Sequence, residues 1–280
     1  GGGRGSLDAA FLALAGFDVF KQFDYFAGTS VGSINILSLL SNTDPELLYD
    51  FYLDSLPAIF RANWIRRKIP LFSNKYDDKI LNDQLSKLIP GKFSDISKPT
   101  FVVSHNLNLG KRKLWWNGGS DKDVMAWEVA RSSSAAHTFF PPWKDTENHW
   151  HADGGVFAND PTLPMVSHVY ESYNVEPDEM KVFVLGTGYS GNPDKIRRQY
   201  PPRWIGEWIG VLRQDTVTNV IDSREDAKAI VPPTQYYLAD FDIGEKDISL
   251  DDVKSCLDLP KRCFNQIGKH AKAMEKFVKD

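Results

Sequence analysis

Residues 23–40 read FDYFAGTSVGSINILSLL. The first six, 23–28, are apolar or aromatic apart from Asp24 and read as a short buried strand; Val31 to Leu40 read as a buried helix. Between them Gly28-Thr29-Ser30-Val31-Gly32 has the form G-x-S-x-G. That pattern also arises by chance in loops. Its meaning depends on a strand before it and a helix after it, and both are present. Such a turn lifts the serine hydroxyl clear of the sheet. Glycines flank it because a Cβ on either side would clash in so sharp a bend. A helix starting at the serine brings unpaired N–H groups and a favourable dipole toward a developing negative charge.

Outward from this unit, strands and helices alternate. Upstream, Ser6 to Gly16 reads as a helix, with Leu7, Ala10, Phe11 and Leu14 at helical spacing and Gly16 as its cap. Downstream, helices are expected over 44–56, 77–89, 124–136, 161–173, 203–222 and 260–279. Strands are expected over 100–107, 112–117, 181–188 and 234–241, the first two as a hairpin across NLGK. The alternation predicts an α/β domain with a mainly parallel sheet covered on both faces. The segment 189–203, with three prolines, reads as a long loop. No internal boundary is visible, so one domain is expected over 1–280.

A serine hydroxyl needs a base before it becomes a nucleophile. The chain has six histidines. None forms an obvious triad with Ser30, and His270 is expected on the surface of the last helix. Asp153 in HADGGVFANDP is the better candidate, because Asp153-Gly154-Gly155 presents a carboxylate with no neighbouring side chains in the way. Asp-Gly-Gly is equally a plain turn signal. The opening GGGRG has two readings: a tag remnant, or a loop whose backbone closely approaches a substrate.

Bulk properties exclude several classes. Hydrophobic residues make up 42% and charged residues 25%, with a net charge of −4 and no block of like charge, so nothing points to nucleic acid. The run Arg66, Arg67, Lys68 is short and reads as a solvated face. Cys256 and Cys263 have no metal-type spacing, and no calcium loop of the EF-hand type is present; no metal or cofactor is expected. Two cysteines give no disulfide framework, and no residues here read as a secretory leader. A cytoplasmic location is therefore expected. No apolar run is long enough to span a bilayer, so membrane contact would be peripheral and transient. Residues 51–72 and 203–212, with Trp64 and Trp208, are aromatic-rich and read either as core helices or as a membrane-facing surface.

Taken together, five ordered motifs resemble the patatin-like phospholipase family. They are Gly1-Gly2-Gly3-Arg4-Gly5, Gly28 to Gly32, ARSSSAAHTFFPP at 130–142, DGGVFANDP at 153–161 and VLGTG at 184–188. The likeness covers about residues 1–190. It implies a three-layer α/β/α fold with a nucleophile elbow, and a calcium-independent lipid acyl hydrolase acting through a Ser30–Asp153 dyad. Its substrate would be a phospholipid or other glycerolipid. By the same resemblance the oxyanion hole would comprise Gly1, Gly2, Gly3 and Arg4, with Gly2 and Gly3 as main donors and Val31 N–H assisting. Gly5, Gly28, Gly32, Gly154 and Gly155 would be motif glycines. The family pattern is GGGxRG, one residue longer than GGGRG, with a strand ahead of it, and His137 stands where the family usually has proline. Arg4 could meet a substrate phosphate or pair with a structural acid. Other readings are a generic carboxylesterase or lysophospholipase, and a catalytically silent module that binds lipid or protein. A nucleotide site fails because no phosphate-loop spacing is present.

Overall fold

A computed structural model describes residues 2–61, 74–190, 223–245 and 248–279. The expected helix at 203–222, most of the 189–203 loop, Trp64, Trp208 and the run 66–68 lie outside the described residues.

The strands are β1 (Phe26–Thr29), β2 (Thr100–Asn106), β3 (Lys111–Trp116), β4 (Trp143–Lys144), β5 (Trp150–Asp153), β6 (Val182–Leu185) and β7 (Tyr236–Ala239). The helices are α1 (Gly5–Ala15), α2 (Phe17–Phe20), α3 (Val31–Leu40), α4 (Pro45–Ile59), α5 (Lys79–Leu88), α6 (Ala126–Ser133), α7 (Gly155–Ala158), α8 (Thr162–Tyr173), α9 (Val253–Arg262) and α10 (Phe264–Lys279). β1 and β2 are parallel, as are β6 and β7. β3 and β5 lie antiparallel to β2, and β4 antiparallel to β5.

Alternation along β2 and β3 builds the layers. Phe101 and Trp116 stack on one face, and His168 of α8 lies 4.9 Å from each ring. Val102 and Trp115 point the other way, into a core shared with Ile34 and Leu37 of α3 and Val129 and Ala130 of α6. Helices thus cover both faces. β6 and β7 follow the same rule. Phe183 stacks on Tyr237 toward Phe11 of α1 and Phe277 of α10, while Val182 and Val184 pack with Val166 of α8.

Several sequence expectations shift. β1 starts at Phe26 rather than Phe23, because Phe23 turns its ring edge-on to Phe26 and Phe183 instead of joining the ladder. The single helix expected over 260–279 is two, α9 and α10, meeting at Cys263. Within α9, Pro260 cannot donate to the Cys256 carbonyl four residues back. The Ser6 hydroxyl takes that carbonyl instead, at 2.8 Å, which ties α9 to α1. The β4–β5 hairpin is too short and polar to give a strand signal. Asp145 shapes its turn by accepting from the N–H groups of Glu147 and His149. Two motifs also find a structural use. Asp160 and Asp240 share the Arg224 guanidinium, at 3.0 and 2.8 Å, and Asp240 accepts from Gly188 N–H. This joins the start of α8 to the ends of β6 and β7.

α1 is buried on nearly every side, between α4, α9 and α10, and not by one stripe alone; Leu14, placed on the buried stripe by its spacing, is 51% exposed. Asp8 is carried into this core. Its Oδ1 has no hydrogen-bond partner among the described residues, and burial pushes its pKa up to about 8. The unfolded chain releases this proton near the ordinary aspartate value of 3.8 and the folded chain keeps it to about 8. Stability contributed by the neutral acid is therefore complete at low pH and is lost as pH rises through that interval. Asp8→Asn should remove the dependence: its melting temperature should exceed that of the wild type by a margin that grows between pH 5 and 8. The expected difference at pH 8 is on the order of a few kcal/mol. A margin constant across this range in thermal melts would show that Asp8 is not held neutral.

Candidate active site

The registers along β2 bring the site together. β3 pairs with β2 along residues 101–106 on one edge. On the opposite edge β1 ends with Thr29 beside Val103, and β5, running the other way, ends with Asp153 beside Ser104. The two strands point at each other end to end. Ser30 follows the tip of one, and Asp153 is the tip of the other. Ser30 Oγ donates to Asp153 Oδ2 at 2.7 Å, across 123 positions of sequence.

The elbow is strained and braced. Ser30 has φ 55° and ψ −127°, a conformation L-residues rarely adopt, and it caps α3. A Cβ at Gly28 would lie 2.7 Å from the Gly32 carbonyl, so glycine is required there. At Gly32 a Cβ would meet no neighbour within 4 Å, so the expected steric demand falls on the first glycine alone. Ser30 N–H donates to Ser133 Oγ at 2.8 Å, and Ser133 in turn donates to the Val103 carbonyl at 2.6 Å. Thr29 Oγ1 donates to Ala158 O of α7. Ser133 lies in the 130–142 motif, but its bracing role has no sequence signature.

Asp153 is placed as firmly. Its N–H donates to Ala135 O, and its Oδ1 accepts from Gly155 N–H at 2.8 Å. A Cβ at Gly154 would sit 2.2 Å from the Val103 carbonyl, which excludes any side chain. Burial pushes the Asp153 carboxyl above the ordinary value; the hydrogen bonds from Ser30 and Gly155 pull against that rise. Among the described residues no imidazole is hydrogen-bonded to Ser30 or Asp153. His151 is enclosed between Ser104 Oγ and Asp145 Oδ2, at 3.0 and 2.9 Å. His105 and His137 lie with ring centres 5.9 Å apart. His270, expected on the surface, is half-buried and bonded to Tyr237 OH and Asp240 O, because α10 packs on β7.

Ser30 and Asp153 open into an apolar cavity. Its walls are Val31 and Ile34 of α3, Phe51, Leu56 and Ile59 of α4, the pair Phe139–Phe140, and Leu250 from the C-terminal region. The glycine loop reaches the same cavity through Gly2. Its geometry departs from expectation. Residues 2–4 form a single tight turn with Gly2 at φ 62°, and Gly3 N–H donates to Leu250 O at 2.7 Å. Arg4 gives its Nε to Ile248 O at 3.1 Å, with Nη2 on the same oxygen, so its guanidinium holds a main-chain carbonyl. Gly1 lies outside the described residues. Gly5 is needed where α1 meets α3, since a Cβ there would be 2.1 Å from Val31 Cγ2. Val31 is the first residue of α3, and helix geometry gives its N–H no partner within the helix.

The fold has three layers, α/β/α, with Ser30 on an elbow at the mouth of an apolar cavity. Residues 1–166 match the family model described as patatin-like phospholipase. The chain belongs to the patatin-like phospholipase family, which places it among lipid acyl hydrolases.

Relatives agree at modest identity. The chain is 26% identical over 243 residues to a cGAMP-activated phospholipase of Vibrio cholerae, covering 74% of this chain and 68% of that one. It is 28% identical over 259 residues to patatin-like protein 2 of Oryza sativa, covering 75% and 64%. It is 28% identical over 173 residues to the 85/88 kDa calcium-independent phospholipase A2 of Mus musculus, covering 54% of this chain but 20% of that protein. The chain thus spans about two thirds of the first two and a fifth of the third. A crystal structure of VipD from Legionella pneumophila superposes with a TM-score of 0.51 at 11% identity, over 98% of this chain and 66% of that one. It bears on the fold alone.

Proposed function

We propose that this chain hydrolyses fatty-acyl esters of glycerophospholipids, with Ser30 as nucleophile and Asp153 as its base. The observation that carries this reading is the 2.7 Å hydrogen bond from Ser30 Oγ to Asp153 Oδ2 at the mouth of an apolar cavity. Asp153 takes the hydroxyl proton as Oγ attacks the ester carbonyl. The tetrahedral oxyanion needs donors within about 3 Å. Val31 N–H at the start of α3 supplies one and the glycine loop another. Asp153 returns its proton to the leaving alcohol. A water then gives a proton to Asp153 and attacks the acyl-enzyme; the acyl carbon–Oγ bond breaks, the fatty acid leaves, and Asp153 passes the proton to Ser30 Oγ. The steps balance without a metal.

An apolar cavity suits an acyl chain, and the relatives named phospholipases favour a lipid ester over a small soluble one. Among the described residues no helix is long and apolar enough to cross a membrane, and we place the enzyme transiently at the bilayer surface. Cys256 and Cys263 are buried and free, in keeping with a reducing, cytoplasmic setting. Phosphatidylcholine vesicles, with and without EDTA, should yield free fatty acid and lysophospholipid by mass spectrometry at equal rates. Cleavage of p-nitrophenyl butyrate with no fatty acid released from phospho-, lysophospho- or galactolipid would make the chain a generic carboxylesterase. Fatty acid released only in the absence of EDTA would overturn the metal-free mechanism.

A further inference from the structure

Residues 248–251, between β7 and α9, lie across the glycine loop and the active-site cavity. At one end the strip takes loop donors with its own carbonyls: Gly3 N–H goes to Leu250 O, and Arg4 to Ile248 O. The fit is close, since a Cβ on Gly2 would lie 2.6 Å from Leu250 Cβ. In the middle, the Leu250 side chain lines the cavity that holds Ser30 and Asp153. At the other end Asp251 is fastened. Its Oδ2 accepts from Lys75 Nζ and from Tyr76 OH, the latter at 2.5 Å, and its Oδ1 accepts from Ser249 Oγ at 2.6 Å. Tyr76 is itself packed against Phe60, Phe139 and Phe140, three residues of the cavity wall.

An amide N–H makes one strong hydrogen bond. While Gly3 donates to Leu250, it cannot also donate fully to a substrate oxyanion. The position of Leu250 also takes up room where an acyl chain would lie. We propose that residues 248–251 form an autoinhibitory strap, fastened by Asp251 to Lys75 and Tyr76, and that its release frees the glycine loop for catalysis. This rests on the reading of Ser30 as nucleophile and of the glycine loop as its oxyanion hole. The strap lies outside residues 1–166, the part of the chain that the family model matches.

Asp251→Asn and Tyr76→Phe test it in the full chain, each removing part of the fastening while leaving Ser30, Asp153 and the loop untouched. Two quantities are read: the rate at which a fluorophosphonate probe labels Ser30, and hydrogen–deuterium exchange of a peptide spanning the glycine loop. Asp251→Asn should label up to about tenfold faster, the scale set by losing one or two hydrogen bonds, and exchange faster at the loop. Tyr76→Phe should show a smaller rise in both. Unchanged exchange in both variants would show that Asp251 does not hold the strip, and would overturn the proposal. Faster exchange with unchanged or slower labelling would also overturn it, because the strip would then support the loop. If neither wild type nor variant is labelled, the nucleophile assignment fails, while the exchange data still decide whether the strip is fastened. Should Asp251→Asn fail to fold by near-UV circular dichroism, Tyr76→Phe decides alone.

Discussion

Ser30→Ala abolishes acyl-ester hydrolysis, with kcat expected to fall by about 10⁴- to 10⁶-fold, the range seen when a serine nucleophile is removed. The loss is chemical and not structural. Alanine keeps the Cβ, so the elbow retains its bend and its N–H bond to Ser133 Oγ, and the melting temperature should stay near that of the wild type. Residual turnover would come from binding and from oxyanion donors alone. A fluorogenic acyl ester followed at saturating substrate reads the effect, and fluorophosphonate labelling should vanish with it. Wild-type turnover by a correctly folded Ser30→Ala protein would remove Ser30 from the reaction.

Asp153→Asn is the second large effect. A general base contributes about 10²- to 10⁴-fold, and among the described residues no second base is bonded to the serine. Asparagine is nearly isosteric and its carbonyl can still accept from Gly155 N–H, so the site keeps its shape. Removing a buried ionisable group from a functional site commonly leaves stability unchanged or raises it. The pH profile carries a separate sign. The base must be ionised to act, so kcat/KM falls as pH drops through the Asp153 pKa. Burial raises that pKa, so the acid limb should lie above the ordinary carboxylate range of the wild-type group. His137→Asn tests the competing imidazole, since His137 is close enough for its charge to be felt at Asp153. An acid limb that survives in Asp153→Asn but disappears in His137→Asn would reassign the base.

Legibility from the residues followed the range of the interactions. The strand, turn and helix around Ser30 could be read because each rests on local physics: apolar runs, a glycine where the chain bends, a helix beginning at the bend. Gly28 and Gly154 showed as motif glycines, and the structure supplies the reason, contacts of 2.7 and 2.2 Å that a Cβ would make. Gly32 matched the same pattern without the steric need. Errors arose where tertiary partners decide. The spacing of α1 pointed to one buried stripe, yet the helix is enclosed on several sides, which buries Asp8 and leaves Leu14 exposed. Pro260 falls inside a helix because Ser6, far away in sequence, takes the carbonyl that proline leaves without a partner.

By itself the sequence determined the alternating α/β class and the strand, turn and helix around Ser30, since backbone sterics and short-range periodicity are written in neighbouring residues; Asp153 stood out only as a turn aspartate and through the family resemblance. Only the tertiary structure decided that β1 and β5 meet end to end on one edge of β2, that Ser133 braces the elbow, and that the Gly3 N–H is taken by Leu250. Those are contacts between segments dozens to hundreds of residues apart. A hydrogen bond between backbone groups leaves no trace in side-chain identity, so no residue pattern could announce it.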